Sequence, residues 1–501
     1  MLITVLDYLE KSHRCYPEKE AIIDNSCKMT YKELYSKVLQ TASQINQNYD
    51  FNRRPIIVLM NNSAKAIAAF LGVALSRNIY VPIDENIPKE RFEIIYNTLD
   101  PACIIDCTEN GYMHQECFLC PIIKWSEIEK TEIDYEKVIG KKNSIIDTDP
   151  LYILFTSGST GIPKGVVINH RAVIDFTEEA SEAMSFSKNE IFLNQAPFYF
   201  DASIPDIYCT IRNGGTLHIV EKSMFVFPIK LMEYIAENKI NAIFWVPSAL
   251  VTVANSKVLK KRDISSLKKV MFCGEVMPTK QLNMWREALP EAVYVNYYGP
   301  CEATYASCYY VIDKDFEDDE PLPIGKPANN TRILLIADQC EVRESEKIGE
   351  IYICGSGVGI GYYNAPEKTE ENFVQNPLHN NYREIVYKTG DLAHYDCNGN
   401  LVYDGRKDYQ IKHMGYRIEL GEIEACVSAI KNIKQVACIY QKKKDSIMCY
   451  YCGDLSEAEI MEVIKLKLPF YMIPKKIIKL NQLPMNDNGK INRKVLEEIN
   501  Q

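Results

Sequence analysis

Residues Leu151–His170 read LYILFTSGSTGIPKGVVINH. Leu151 to Phe155 is an apolar run, too short for a helix of usual length and rich in bulky side chains, which predicts a strand. Val166 to Asn169 is a second, β-branched run. Between them Thr156, Ser157, Gly158, Ser159, Thr160, Gly161, Ile162, Pro163, Lys164 and Gly165 make a loop. Glycine lets the backbone approach an anion, hydroxyls donate to phosphate oxygens, and Lys164 adds positive charge. The loop therefore reads as a phosphate holder. It is not a Walker loop, which needs G-x-x-x-x-G-K-[ST] opening a helix whose N-terminus faces the phosphates. Here Gly165 follows Lys164 and a strand follows the loop. A plain Ser/Gly turn would account for a shorter connection, but not for the lysine and so many donors.

TSGSTGIPKG resembles the signature loop of the acyl-adenylate-forming enzymes: nonribosomal peptide synthetase adenylation domains, D-alanine–carrier protein ligases, acyl-CoA synthetases and luciferases. The resemblance runs through nearly the whole chain, with further motifs in family order. It implies a large N-terminal domain, residues 1–407, and a small mobile α+β domain, residues 408–501, with a hinge at Asp408. The pattern itself agrees on class. Strands alternate with helices to about Gly299, an α/β architecture with largely parallel strands. From Val5 to about Arg77 the pattern is helical with one strand, Ile56–Met60, and Tyr31–Ile45 is a helix capped by Thr30. Beyond Asp408 a strand, a loop at His413–Arg417 and an amphipathic helix at Ile418–Ile430 are expected.

The bulk properties narrow the function. The 501 residues allow about three domain-sized units, and 47% hydrophobic with 25% charged content is ordinary for a globular chain. A net charge of −10 with no basic stripe argues against nucleic acid. No signal peptide and no apolar run of about 18 residues appear, so no membrane insertion is expected and a cytoplasmic location is. The 17 cysteines have no framework spacing and read as reduced thiols. Cys103, Cys107, His114, Cys117 and Cys120 cluster, but the spacing of Cys103 and Cys107 is not that of a standard zinc pair, and Ala102–Ile105 reads as a buried strand. Cys449 and Cys452 lie in a strand-like run and read as structural.

The remaining motifs carry the chemistry that the resemblance implies. In QAPFYFDASIP, Asp201 follows a strand-like aromatic run; taken alone, it could cap the next helix. Its position matches the aspartate that grips the substrate ammonium in amino-acid adenylation domains, an acid that acyl- and aryl-CoA synthetases generally lack. An amino-acid substrate is expected, with a CoA synthetase as the alternative. By position the side-chain pocket is Asp201, Ala202, Pro205, Phe244, Met271, Cys273, Tyr297, Tyr305 and Ala306. Met271, Cys273 and Ala306 agree with the D-alanine enzymes; Pro205, Phe244, Tyr297 and Tyr305 do not.

In VYVNYYGPCEATYA, Asn296, Tyr297 and Tyr298 match the nucleotide site, with Tyr298 against the adenine and Glu302 on Mg²⁺. Cys301, whose thiol is a weaker donor than a hydroxyl, stands where the family has threonine. Asp391 in YKTGDL and Arg406 in GRKD match the ribose contacts. Gly415 matches the place where a carrier's pantetheine enters. Lys490 in NGK matches the lysine that bridges the substrate carboxylate and the α-phosphate, although a lone lysine in a polar turn is ordinarily solvated. The resemblance thus implies that Lys490, Lys164 and Thr156 are catalytic. It implies that Thr156, Ser157, Gly158, Ser159, Thr160 and Lys164 hold ATP. No fused carrier follows Lys490, so a separate phosphopantetheinylated carrier protein is the expected partner. Lys475-Lys476 and Lys442-Lys443-Lys444 read as solvated surface.

Overall fold

The computed structural model describes residues 2–108, 118–158, 162–441, 444–485 and 491–499. Lys490, Ser159, Thr160, Gly161, His114, Cys117, Lys442 and Lys443 therefore lie outside the described residues.

The chain forms two compact units. The first comprises Met1–Glu85, Asp100–Leu154 and Gly165–Lys407. The second comprises Asn86–Leu99, Phe155–Lys164 and Asp408–Gln501. One junction falls between Lys407 and Asp408, and two segments from the expected large domain group with the C-terminal part.

A nine-stranded sheet runs through the first unit. Its middle is parallel, in the order Val293–Tyr298, Lys269–Phe272, Ala242–Trp245, Ile191–Asn194, Thr216–Ile219 and Glu20–Ile23. Antiparallel strands Cys308–Val311 and Lys28–Thr30 flank it. Trp245 and Trp285 are fully buried in the apolar layer on one face. Burial on both faces explains why these strands read as continuous apolar runs. A seven-stranded sheet holds the opening stretch: Pro150–Thr156 and Lys164–Asn169 are the strands on either side of the loop. Asn169 then caps the helix His170–Ala183, accepting the Ala172 amide. A third sheet, six-stranded and antiparallel, carries Ile385–Tyr395 beside Leu401–Arg406.

Several local expectations change. The N-terminal region contains two further strands, Glu20–Ile23 and Lys28–Thr30. Asp24 makes their turn by accepting the Ser26 and Cys27 amides, a local bond that hydrophobic periodicity does not register. The helix after Thr30 runs Tyr31–Asn48 behind a full capping box with Glu33. Its apolar spacing weakens before its last turn, so the sequence-based end falls short.

In the second unit the expected loop His413–Arg417 is the turn of a hairpin, Gln410–His413 with Tyr416–Glu419. Met414 and Gly415 both have positive φ, 53° and 80°, as a tight two-residue hairpin turn demands. The helix that follows is shorter than expected, Leu420–Ser428, because Ile418 and Glu419 belong to the strand. Helix Lys89–Leu99 lies in the same unit, where buried Arg91 pairs with buried Glu422. Burial outweighs Arg91 and holds the Glu422 carboxyl above its ordinary range.

Candidate active site

The first unit brings most of the expected residues together. Strand Val293–Tyr298 presents Asn296 and Tyr298 on one side and Tyr297 on the other, as alternation requires. The Asn296 amide donates to the Pro323 carbonyl at 2.8 Å. The Tyr298 hydroxyl donates to Asp391 Oδ2 at 2.6 Å. Arg406 Nη1 donates to Asp391 Oδ1 at 2.7 Å, a pairing the antiparallel register sets by placing Asp391 opposite Arg406. All three side chains of this set are nearly buried. Burial, with Asp391 next, pushes the Tyr298 phenol well up, so it stays a donor. A carboxylate offers about four acceptor positions. Two are in use here, which leaves capacity for a vicinal diol.

The turn after this strand is built under constraint. Thr304 and Tyr305 both have positive φ, 54° and 70°, each costing about 1–3 kcal/mol for a non-glycine residue. The Thr304 hydroxyl anchors the turn on the Gly357 carbonyl at 2.8 Å. Gly299 makes room for it: a Cβ there would lie 2.5 Å from the Tyr305 carbonyl oxygen. That is a physical reason for glycine in YGPCEATYA. Glu302 is fully buried, and its Oε1 accepts the Tyr362 hydroxyl at 2.7 Å. Cys301 is buried beside it in the short turn Cys301–Ala303.

Tyr305 joins an aromatic cluster. Its ring lies 6.3 Å from Phe244 and 6.3 Å from Tyr297, which are 6.2 Å from each other. The Cys273 thiol donates to the Tyr305 carbonyl at 3.8 Å, and Met271 is fully buried. Tyr297 therefore gives its side chain to this cluster rather than to the face shared by Asn296 and Tyr298, so a nucleotide role for its ring does not fit. Its buried hydroxyl has no hydrogen-bond partner among the described residues. Tyr297 and Ala306 border a cavity of about 20 Å³, room for roughly one water.

Asp201 opens a short turn, Asp201–Ser203, that leads into helix Ile204–Asn213. The preceding QAPFYF segment is not a strand, since the strand ends at Asn194. Ser203, not Asp201, is the N-cap position, and the Ser203 side chain makes no capping bond. The N-cap role for Asp201 is thus ruled out. Ala202 lies in the turn, and Pro205 is buried at the helix start, where its missing N–H costs nothing. Burial, with smaller contributions that include Asp201, raises the Tyr152 and Tyr305 phenols well above their ordinary value.

The loop expected to hold phosphate falls in the second unit, within Phe155–Lys164. The Thr156 hydroxyl is buried and has no hydrogen-bond partner among the described residues. An orphaned buried donor is costly unless a ligand meets it. Ser157 differs from expectation: its hydroxyl donates to the Arg417 carbonyl at 2.7 Å and accepts the Glu419 amide at 3.1 Å. The Gly158 amide points to Glu422 Oε2 at 3.3 Å. A Cβ on Gly158 would lie 2.1 Å from the Ile162 carbonyl oxygen, so only glycine fits at this position. Lys164 begins the strand that follows.

No group of three or more metal-ligating side chains occurs among the described residues. Cys103 and Cys107 are buried, and burial raises both thiols, Cys103 to about 12, the opposite of what a metal thiolate needs. Among the described residues no helix is long and apolar enough to cross a membrane. Sequence reasoning missed Tyr362. It lies 60 residues from its partner Glu302, so no local spacing marks it.

Residues 9–363 match the family model described as AMP-binding enzyme. A D-alanine–D-alanyl carrier protein ligase of Bacillus cytotoxicus is 31% identical over 98% of this chain and 98% of its own. One from Bacillus cereus strain Q1 is 32% identical with the same coverage. A solved nonribosomal peptide synthetase protein with adenylation and PCP domains superposes with a TM-score of 0.86 at 24% identity, covering 99% of this chain and 84% of that one. The o-succinylbenzoate CoA synthetase of Bacillus subtilis superposes at 0.84 with 19% identity, covering 98% of each. These two structures are similar in fold.

Proposed function

Because the chain belongs to the AMP-binding enzyme family, we propose that it activates an amino acid, D-alanine first, and loads it onto the phosphopantetheine thiol of a separate carrier protein. A carboxylate oxygen of the amino acid attacks the α-phosphorus of ATP. The bond from that phosphorus to the bridging oxygen breaks, and pyrophosphate leaves. The carrier thiolate then attacks the acyl carbon and releases AMP. Such phosphoryl chemistry rests on positioning and charge neutralisation.

The residues present suit these roles. Asp391, steadied by Arg406 and Tyr298, takes the ribose hydroxyls. Thr156 brings an unspent hydroxyl to the phosphates, and Lys164 and Lys490 bring positive charge. Glu302 fits Mg²⁺, which is ordinarily held by one or two carboxylates plus substrate phosphates and not by a protein cage; bound there, the ion would neutralise phosphate charge. Asp408 is the hinge about which residues 408–501 turn between the two half-reactions. A cytoplasmic location fits this chemistry.

The observation that carries the reading is Asp201, a carboxylate just ahead of the helix Ile204–Asn213 whose charge acts on Tyr305 of the tightly packed Phe244–Tyr297–Tyr305 cluster. An ammonium pairs with the carboxylate, and the aromatic wall suits a small side chain. Amino-acid-dependent exchange of labelled pyrophosphate into ATP, across D- and L-amino acids with aryl and fatty acids, tests it. Exchange with D-alanine or another small amino acid supports the reading. Exchange with non-amino acids alone refutes it in favour of a CoA synthetase.

A further inference from the structure

The loop that delivers Asp201 is held by three polar side chains outside the site just described. Asn62 Nδ2 donates to Asn194 Oδ1 and to the Ala196 carbonyl, both at 2.9 Å. Asn62 Oδ1 accepts the Phe198 amide at 3.0 Å. Asn194 Nδ2 donates to the Ala196 carbonyl at 3.0 Å and to Asp206 Oδ2 at 2.8 Å. Asn62 follows the strand Pro55–Met60 of one sheet, and Asn194 ends a strand of another. Asp206 is fully buried on the helix just beyond Asp201.

The segment carrying Asp201 is thus tied on both sides. Asn62 holds Ala196 and Phe198 before it, Asp206 holds the helix after it, and Asn194 links the two. Burial raises the Asp206 carboxyl well above its ordinary range. A buried network depends on each of its hydrogen bonds, since an unmet polar group there has no water to turn to. None of these side chains is among those matched to substrate or nucleotide.

We infer that Asn62, Asn194 and Asp206 form a positioning network that sets the Asp201 carboxylate for the substrate ammonium, and so governs amino-acid affinity without touching the substrate. The inference rests on the reading of Asp201 as the ammonium anchor. Its test is pyrophosphate exchange by the full-length enzyme with amino acid and ATP varied separately. Asn62→Ala raises the amino-acid KM about ten-fold and leaves the ATP KM within about two-fold. The amides of residues 196 and 198–201 exchange hydrogen faster in that variant. Asp206→Asn, which keeps the acceptor, raises the amino-acid KM less than Asp206→Leu.

Asp201→Asn is the benchmark. If it raises the amino-acid KM and Asn62→Ala does not, the network has no positioning role. Equal rises in both KM values in Asn62→Ala, or unaltered exchange of the amides of residues 196 and 198–201, overturn the inference as well. If Asp201→Asn leaves the amino-acid KM unchanged, the anchor reading fails and the inference falls with it.

Discussion

Replacing Asp391 with asparagine removes the charge that Arg406 and Tyr298 both face, while keeping the shape of the side chain. The Arg406 and Asp391 side chains are 9% and 4% exposed, so Asp391→Asn takes a carboxylate charge away from a buried guanidinium. Breaking such a pair costs about 3–5 kcal/mol. Much of the Tyr298 bond survives, because the asparagine oxygen still accepts. If Asp391 only balanced Arg406, removing both charges would repair everything. Replacing a buried pair by apolar groups is commonly close to neutral, so Asp391→Asn with Arg406→Met should recover stability to within about 1–2 kcal/mol of wild type.

ATP binding should not recover. A hydrogen bond to a charged group is worth about 1.5–3 kcal/mol, so the double variant should keep an ATP KM raised about ten- to hundred-fold. Urea unfolding reads the first quantity, and pyrophosphate exchange at varied ATP reads the second. ATP lacking the ribose 2′- and 3′-hydroxyls should be no worse a substrate for the variant than ATP itself. A double variant with both normal stability and a normal ATP KM would refute the ribose assignment and leave Asp391 a counter-ion.

Burial lowers the His170 pKa to about 4, while an unfolded histidine titrates near 6.5. Below about 6.5 the unfolded chain binds the proton that the folded chain refuses, so stability falls as pH drops from about 6.5 to about 4, by up to ~3 kcal/mol. His218 is pushed down to about 4 in the same way, again mainly by burial, so unfolding curves of His170→Gln should keep about half of the acid-side slope; an unchanged slope would count against the assignment. Gly299→Ala forces its Cβ against the Tyr305 carbonyl; it should cost about 1–3 kcal/mol of stability and lower exchange activity, and near-normal activity would show that the strained turn is not needed. Phe244→Ala should cost about 3–5 kcal/mol in unfolding measurements and extend activity to larger amino acids; an unaltered preference would remove Phe244 from the pocket.

The fold class was legible because parallel strands buried on both faces leave continuous apolar runs, such as Ile56–Met60 and Leu151–Phe155, that periodicity registers. Hairpins made by local polar chemistry were not. The Asp24 turn and the Met414–Gly415 turn depend on side-chain acceptors and positive φ, which leave apolar spacing untouched. Individual site residues were legible where a motif is contiguous, as in YGPCEATYA. Their partners were not, since Tyr362, Asn62 and Asn194 meet Glu302 and the Asp201 loop only through sheet packing. Ser157 illustrates a further gap. Sequence marks it as a donor, but its hydroxyl is engaged with the backbone of Arg417 and Glu419.

Both half-reactions can be read together from the intact mass of a phosphopantetheinylated carrier protein incubated with the enzyme, ATP, Mg²⁺ and D-alanine. Carrier loading predicts a gain of one alanyl group that requires ATP and disappears in Lys490→Ala. No gain with any amino acid, together with acylation of free CoA by a carboxylic acid lacking an amine, would contradict it.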